Sequence, residues 1–158
     1  MSDFYHLCFV VQDLNRATAD LTRALGTAWS PARDGRLGTW DYRIVFSVEG
    51  PPFFEVIEGP AGSPWDASAG SRFDHLGYWS EDIAVDKQRL AVRGAGLEFD
   101  ACPCGRSFAC HRLDSLGVRL ELVDRAVQPD FLVTWTPGAA PMPAIDLGGS
   151  ATGTGPGA

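Results

Sequence analysis

The chain has 158 residues, of which 45% are apolar and 21% charged, and its formal net charge is −7. That is enough apolar material for one domain, or two small packed halves, to fold without staples. The acidic balance and the lack of a basic run exclude nucleic acid and anionic membranes as expected partners, and no segment approaches the ~18 uninterrupted apolar residues of a membrane span.

The N-terminal stretch MSDFYHLCFVVQD carries no basic region, so no export signal is expected and the protein is read as cytoplasmic. Its four cysteines, Cys8, Cys102, Cys104 and Cys110, are then expected to be reduced thiols. Residues 4–11 are apolar, aromatic and branched, which suits a buried strand. Asp13 is placed to cap a helix in which Leu14, Ala17, Leu21 and Leu25 recur near helical spacing, with Gly26 as its stop. Strands are predicted at about 28–31, 40–48 and 53–58. Residues 59–72 are rich in Gly, Pro, Ser and Ala and read as a linker. Asp82 then caps a second helix ending near Gly94 or Gly96, and strands follow at about 97–102, 107–113 and 117–123. Beyond Asp124 this order is lost. Phe131 to Trp135 form a short apolar patch able to dock on the body or on a second subunit, and the Gly-, Ala- and Pro-dominated stretch beyond 137 is expected to be largely disordered.

The chain repeats itself. At a constant offset of 69, Phe4, His6, Leu7, Asp13 and Leu21 match Phe73, His75, Leu76, Asp82 and Leu90. FFEVIE (53–58) likewise resembles RLELVD (119–124), which sets Glu55 opposite Glu121. Two β-α-β-β-β modules are therefore predicted, 4–58 and 73–124, joined by the linker 59–72 and followed by a tail at 125–158. Each module has one His near its start and one Glu near its end.

Alternation along a strand puts Cys8 with His6, Gly77 and Trp79 with His75, and Arg119 with Glu121. Glu55 and Glu121 sit between apolar neighbours, where a carboxylate is costly unless something compensates it. Taken singly, each of the four residues reads as an ordinary hydrogen-bonded or solvent-facing side chain. Their placement at equivalent points of two repeats favours a shared divalent metal instead. Imidazole and carboxylate without thiolate suit Zn, Ni, Co, Mn or Fe(II) and leave positions open to water or substrate.

The segments YHLCFVVQDLNRA, FFEVIEGPAGSPW, FDHLGYWSEDI and GVRLELVD, in this order and spacing, resemble the vicinal oxygen chelate superfamily over residues 4 to about 124. That superfamily includes glyoxalase I, methylmalonyl-CoA epimerase, extradiol dioxygenases, and the fosfomycin and bleomycin resistance proteins. The resemblance implies an α+β fold in which the paired modules form a cupped mixed sheet around one metal. His6, Glu55, His75 and Glu121 correspond to the ligands. A complete His, Glu, His, Glu set is most similar to bacterial glyoxalase I; methylmalonyl-CoA epimerase is similar but usually has Gln at the position of Glu55. The implied reaction is proton abstraction beside a carbonyl, of isomerase or lyase type, with Glu121 as the better candidate base and Glu55 second. The expected partner is a small carbonyl substrate, and a homodimer is expected, with the cup closed within one chain or across two. The rival readings are a binding protein that sequesters a small molecule, and an Fe(II)-dependent oxygenase.

Trp65 in the linker and Trp79 on the face of His75 are the candidate pocket aromatics, together with Cys8. Arg119 is placed to hold an anionic substrate group or to pair with a carboxylate at the rim. Cys102, Cys104, Cys110 and His111 have an unusual spacing for a zinc site, and adjacent Cys110 and His111 point to opposite faces of a strand, so they read as packed side chains. The Gly-x-Gly at 94–96 has no helix after it and reads as a helix stop.

Overall fold

In a computed structural model of the chain, residues 4–142 are described. The elements are β1 (Phe4–Val10), α1 (Leu14–Leu25), β2 (Arg33–Leu37), β3 (Trp40–Phe46), β4 (Phe53–Glu58), β5 (Arg72–Ser80), α2 (Ile83–Val92), β6 (Leu97–Asp100), β7 (Phe108–Leu113), β8 (Val118–Asp124) and α3 (Gln128–Trp135). The β-α-β-β-β unit thus occurs twice before α3. Both helices that follow a first strand start the same way. Asp13 accepts from the backbone N–H of Arg16, and Asp82 from those of Ala84 and Val85, satisfying donors that the first helical turn leaves unpaired.

The eight strands form one mixed sheet in the order β2-β3-β4-β1-β5-β8-β7-β6. Within each unit the last strand returns beside the first in parallel, β4 beside β1 and β8 beside β5, while β1 and β5 pair antiparallel at the centre. Across that central pair His6 faces Gly77 and Cys8 faces His75. The two halves are therefore related by an approximate two-fold axis between these residues. The sheet curls until its far edges meet: Trp40 on β3 lies 6.3 Å from Phe99 on β6, and the Arg106 guanidinium donates to the carbonyl of Arg36. A cup results. The helices lie on the outside, α1 packing Leu14 against Val45 and Val56, and α2 lying against β7 and β8.

One predicted strand is displaced. Residues 28–31 contribute only an isolated bridge from Trp29 to Ser47, and the edge strand is the polar run RDGRL of β2. Its pairing is set by the hairpin to β3, where Leu37 faces Trp40 across a turn with Gly38 at φ 59°. An edge strand facing water needs few apolar side chains, and its charges oppose pairing with other chains. Sequence hydrophobicity therefore pointed to the wrong segment.

The apolar patch at 131–135 becomes α3, which docks on the body of the same chain. Phe131, Leu132 and Trp135 pack with Tyr5, Phe46, Phe53 and Trp79, closing one end of the cup. The chain then brings Met142 into this cluster, where its sulfur accepts from the Trp79 indole N–H. The stretch expected to be disordered lies, from residue 143 onward, outside the described residues. Among the described residues no helix is long and apolar enough to cross a membrane.

Candidate metal centre

Two transverse rows of the sheet carry the quartet. In one row Glu55 on β4, Cys8 on β1, His75 on β5 and Arg119 on β8 are successive neighbours. In the other, Phe53, His6, Gly77 and Glu121 are, and Cys110 on β7 extends it. Each row thus places one His and one Glu on either side of a small residue, Cys8 or Gly77, and paired residues share the concave face. Gly77 is needed in its row: a Cβ there would come within 1.9 Å of the His6 ring.

The donors converge. One ligand atom from each of His6, Glu55, His75 and Glu121 lies within 4.8 Å of all the others. The Nε2 atoms of His6 and His75 are 3.0 Å apart, and His6 Nε2 is 3.0 Å from Glu55 Oε2 and 3.3 Å from Glu121 Oε2. His75 Nε2 stands 3.9 Å and 3.5 Å from the same two oxygens. Ligands held about 2.0–2.2 Å from a shared ion stand roughly 3–4 Å from one another, so these separations fit one first-row divalent cation. All four come from one chain, and all four are buried.

The electrostatics point the same way. Burial alone lowers the His6 pKa, yet Glu55 and Glu121 outweigh it and hold it above the usual imidazole value. His75 stands well above that value: burial lowers it, and the carboxylates of Glu121 and Asp74 more than offset that. Conversely, burial would raise Glu121, but His75 and His6 hold its carboxyl well below the usual range. A field that favours protons on two buried imidazoles also favours a cation between them. The nearby thiols stay protonated. Burial and then Glu55 raise Cys8 well above the ordinary thiol value, and burial followed by Glu121 pushes Cys110 up to about 12. Cys8 serves as a donor, its Sγ lying 3.4 Å from Glu55 Oε1.

The two histidines are supported differently, and a β-bulge explains why. Register shifts between Phe4 and His6 and between Cys8 and Phe9 leave Tyr5 on β1 and Asp74 on β5 without a partner across the central pair. These two residues occupy equivalent positions at the offset of 69. Each is turned to the side of its neighbouring His. Asp74 Oδ2 lies 2.9 Å from His75 Nδ1 and also accepts from the Arg119 guanidinium, whose Nε is 3.0 Å away. That contact keeps a proton on Nδ1, so that the neutral imidazole presents its lone pair on Nε2 to the other three donors. Tyr5 instead lays its ring against that of His6, with centroids 4.3 Å apart, and among the described residues His6 Nδ1 has no hydrogen-bond partner.

Beside the quartet is a cavity of about 160 Å³, walled by Tyr42, Ile44, Trp65 and Phe108, with Glu55 and Glu121 in its lining. Trp65, one of the candidate pocket aromatics, is in this lining. Trp79 is not: it is buried under α3 and stacked on Tyr5 with ring centroids 3.9 Å apart. Strand alternation put it on the correct face, but α3 fills that end of the cup. Cys8 touches Glu55 without lining the cavity, and Arg119 pairs with Asp74. His111 lies apart from the quartet, with Nδ1 2.9 Å from the carbonyl oxygen of Ala95. Asp74, Tyr5 and Gly77 had no role from sequence, because regular alternation puts Asp74 and Tyr5 on the opposite face and conceals the bulges.

A profile of the Glyoxalase/Bleomycin resistance protein/Dioxygenase superfamily matches residues 5–106. No protein of curated function matches the chain. Among solved structures, methylmalonyl-CoA epimerase from Mycobacterium tuberculosis aligns at 18% identity with a TM-score of 0.58, over 77% of this chain and 87% of its own. A hypothetical protein from Bacillus halodurans aligns at 17% and 0.63, over 78% of this chain and 94% of its own. A variant of 4-hydroxymandelate synthase from Streptomyces coelicolor aligns at 13% and 0.56, over 78% of this chain and 48% of its own. At these identities the likeness is one of fold.

Proposed function

The chain belongs to the glyoxalase/bleomycin resistance protein/dioxygenase superfamily, and from that footing we propose that it is a metal-dependent isomerase or lyase that removes a proton from the carbon beside a carbonyl. The observation that carries this reading is the convergence of four buried N and O donors beside a cavity whose lining includes both carboxylates. His6, Glu55, His75 and Glu121 hold the ion. When bound, the ion supplies Lewis acidity toward negative charge developing on a substrate oxygen.

The remaining work falls to the chain's own groups. Glu121 takes the proton. Of the two carboxylates, Glu55 is tied on its second oxygen by the Cys8 thiol, whereas among the described residues no hydrogen bond reaches Glu121 Oε1. The freer carboxylate is the better proton carrier. Tyr42, Trp65 and Phe108 present aromatic surface to an apolar or aromatic substrate body and exclude water from the carbon being deprotonated.

The test combines metal and exchange. Metal-stripped protein is loaded in turn with Zn, Ni, Co, Mn and Fe(II), and stoichiometry is measured by elemental analysis. Exchange of the α-proton in D₂O is then followed by NMR with methylmalonyl-CoA and with the hemithioacetal of methylglyoxal and glutathione. One equivalent of metal and metal-dependent exchange are expected. Failure to bind any of the five ions overturns the reading.

A further inference from the structure

At the end of the cup away from α3 lies a second cavity, of about 360 Å³, and its chemistry differs from that beside the quartet. Its lining includes Arg72, Arg112, Arg119, Trp40 and Phe99. Arg112 and Arg119 are direct partners across β7 and β8. Like charges in that relation destabilise a strand pair unless something compensates them, and this one occurs in a chain of net charge −7.

The compensation from the protein is partial. Asp74 and Glu98 also line the cavity, two carboxylates against three guanidinium groups. Asp74 is shared among Arg72, Arg119 and His75. Glu98 is half exposed and stands 3.7 Å from Arg119 Nε. Arg119, only 6% exposed, commits Nε and Nη2 to Asp74 and to the Pro64 carbonyl; among the described residues no hydrogen bond reaches its Nη1. Arg112 makes no side-chain hydrogen bond among the described residues, and its nearest carboxylate is that of the exposed Asp114, 3.8 Å away. Two guanidinium groups on neighbouring strands therefore offer unused N–H donors to one cavity. Trp40 and Phe99 supply a ring surface beside them.

We propose that this cavity is a binding subsite for a small molecule bearing a carboxylate or phosphate group on a flat apolar body. Arg112 and Arg119 take the oxyanion, and Trp40 and Phe99 take the body. Planar guanidinium groups match the geometry of an oxyanion and bind it by charge-assisted hydrogen bonds, and a cavity of this volume is of the size that small ligands fill. A surplus of guanidinium excludes a metal ion here. Adjoining linker residues Pro64 and Trp65 line this cavity and the one beside the quartet, respectively, so the two sites are neighbours. The subsite does not depend on the metal reading.

The test uses the full chain, titrated at low salt with phenyl phosphate, benzoate and inorganic phosphate. Binding is followed by calorimetry and by the NMR signals of the arginine Nε–H groups. Phenyl phosphate is expected to bind at about millimolar concentration or better, moving the Arg112 and Arg119 signals. Arg112→Gln, which breaks no side-chain hydrogen bond among the described residues, is expected to weaken it about tenfold or more, the loss of a charge-assisted contact. Trp40→Ala should weaken phenyl phosphate and benzoate but spare inorganic phosphate. The proposal is overturned if none of the three anions moves the two arginine signals, or if Arg112→Gln, folded by circular dichroism, binds phenyl phosphate as the parent does. Equal binding of all three anions, unaffected by Trp40→Ala, would overturn the role of the aromatic wall.

Discussion

The imidazole of His6 lies directly over Gly77, so close that a Cβ on Gly77 would fall 1.9 Å from Cε1 and 2.1 Å from Nδ1. His6 is 0% exposed, and among the described residues its Nδ1 has no hydrogen-bond partner. On its Nδ1 side the ring is therefore held by shape, with the bare backbone of β5 beneath it, while Nε2 meets the other ligands. Gly77→Ala is expected to displace the ring, to lower stability by about 1–3 kcal/mol as overpacking does, and to weaken metal binding. Urea denaturation of a double-mutant cycle checks this. In a His6→Ala background the alanine at 77 should cost much less, because the clashing ring is gone. Equal costs in both backgrounds would show that the clash is not what Gly77 avoids.

His75 is held by the opposite means, a hydrogen bond. Asp74 joins His75 Nδ1 to the buried Arg119 guanidinium. Asp74→Asn keeps the shape but removes the charge and weakens control of the tautomer, so metal affinity is expected to fall about 10- to 100-fold. It also leaves Arg119 without its main counter-charge, a defect that costs about 3–5 kcal/mol when such a pair is fully buried. Competition titration with a chelating dye reads the first effect, and urea denaturation of the metal-free protein reads the second. An Asn variant with parental affinity would reject Asp74 as a positioning residue.

These two relationships mark what the sequence could and could not disclose. The repeat, the helix caps at Asp13 and Asp82, and the metal candidates were legible because equivalent residues recur at one offset. The quartet's convergence then follows from strand pairing, which places His6 beside Gly77 and Glu55 beside Cys8. Asp74 was illegible for a definite reason. Strand alternation turns it away from His75, and only a register shift in β5 brings it back. β2 was missed because an edge strand is selected by its hairpin rather than by hydrophobicity. Trp79 was placed on the correct face, yet no local pattern shows that α3, some fifty residues later by sequence order, covers it.

α3 makes its own prediction. Phe131 meets Tyr5, Phe46, Phe53 and Trp79 at ring-centroid separations of 5.4, 4.9, 5.4 and 5.7 Å. Phe131→Ala should destabilise the fold by about 3–5 kcal/mol, the range for truncating a buried aromatic. Tyr5 is one residue from His6, so the same variant should also loosen that ring. Urea denaturation and metal titration together check both effects. A loss below about 1 kcal/mol, the level of an ordinary surface change, would mean that α3 does not cap the core.

The charge pattern predicts opposite pH trends for the metal-free and metal-loaded forms. His6 and His75 have folded-state pKa values raised above their ordinary value. Each thus contributes stability that is fully present below the unfolded value of about 6.5 and is lost as pH rises through the folded value. Glu121 is depressed, so its contribution is present above the unfolded carboxylate value and is lost on acidification through the lower folded one. Metal-free protein should therefore be most stable in mildly acidic solution and weaken as the imidazoles lose their protons. Metal competes with those same protons, so its affinity should rise with pH. Thermal melts with and without one equivalent of metal, across the pH range, check the crossing. Parallel profiles would mean that the imidazoles are not where the metal binds.

The last prediction separates the two carboxylates. Cys8 holds Glu55 through Oε1, while among the described residues Glu121 Oε1 accepts no hydrogen bond. If Glu121 carries the proton, Glu121→Gln should retain the fold but lower α-proton exchange by about 100-fold or more, the contribution of a well-placed general base. Glu55→Gln should act mainly through metal affinity, so that saturating metal restores most of its exchange. Cys8→Ala removes the tie on Glu55 without touching Glu121, and is expected to lessen the difference between the two carboxylates. Deuterium incorporation measured for all three variants at saturating metal decides the assignment. If Glu55→Gln loses exchange that metal cannot restore while Glu121→Gln keeps it, the roles are reversed, and the thiol contact marks the working base rather than the anchored ligand.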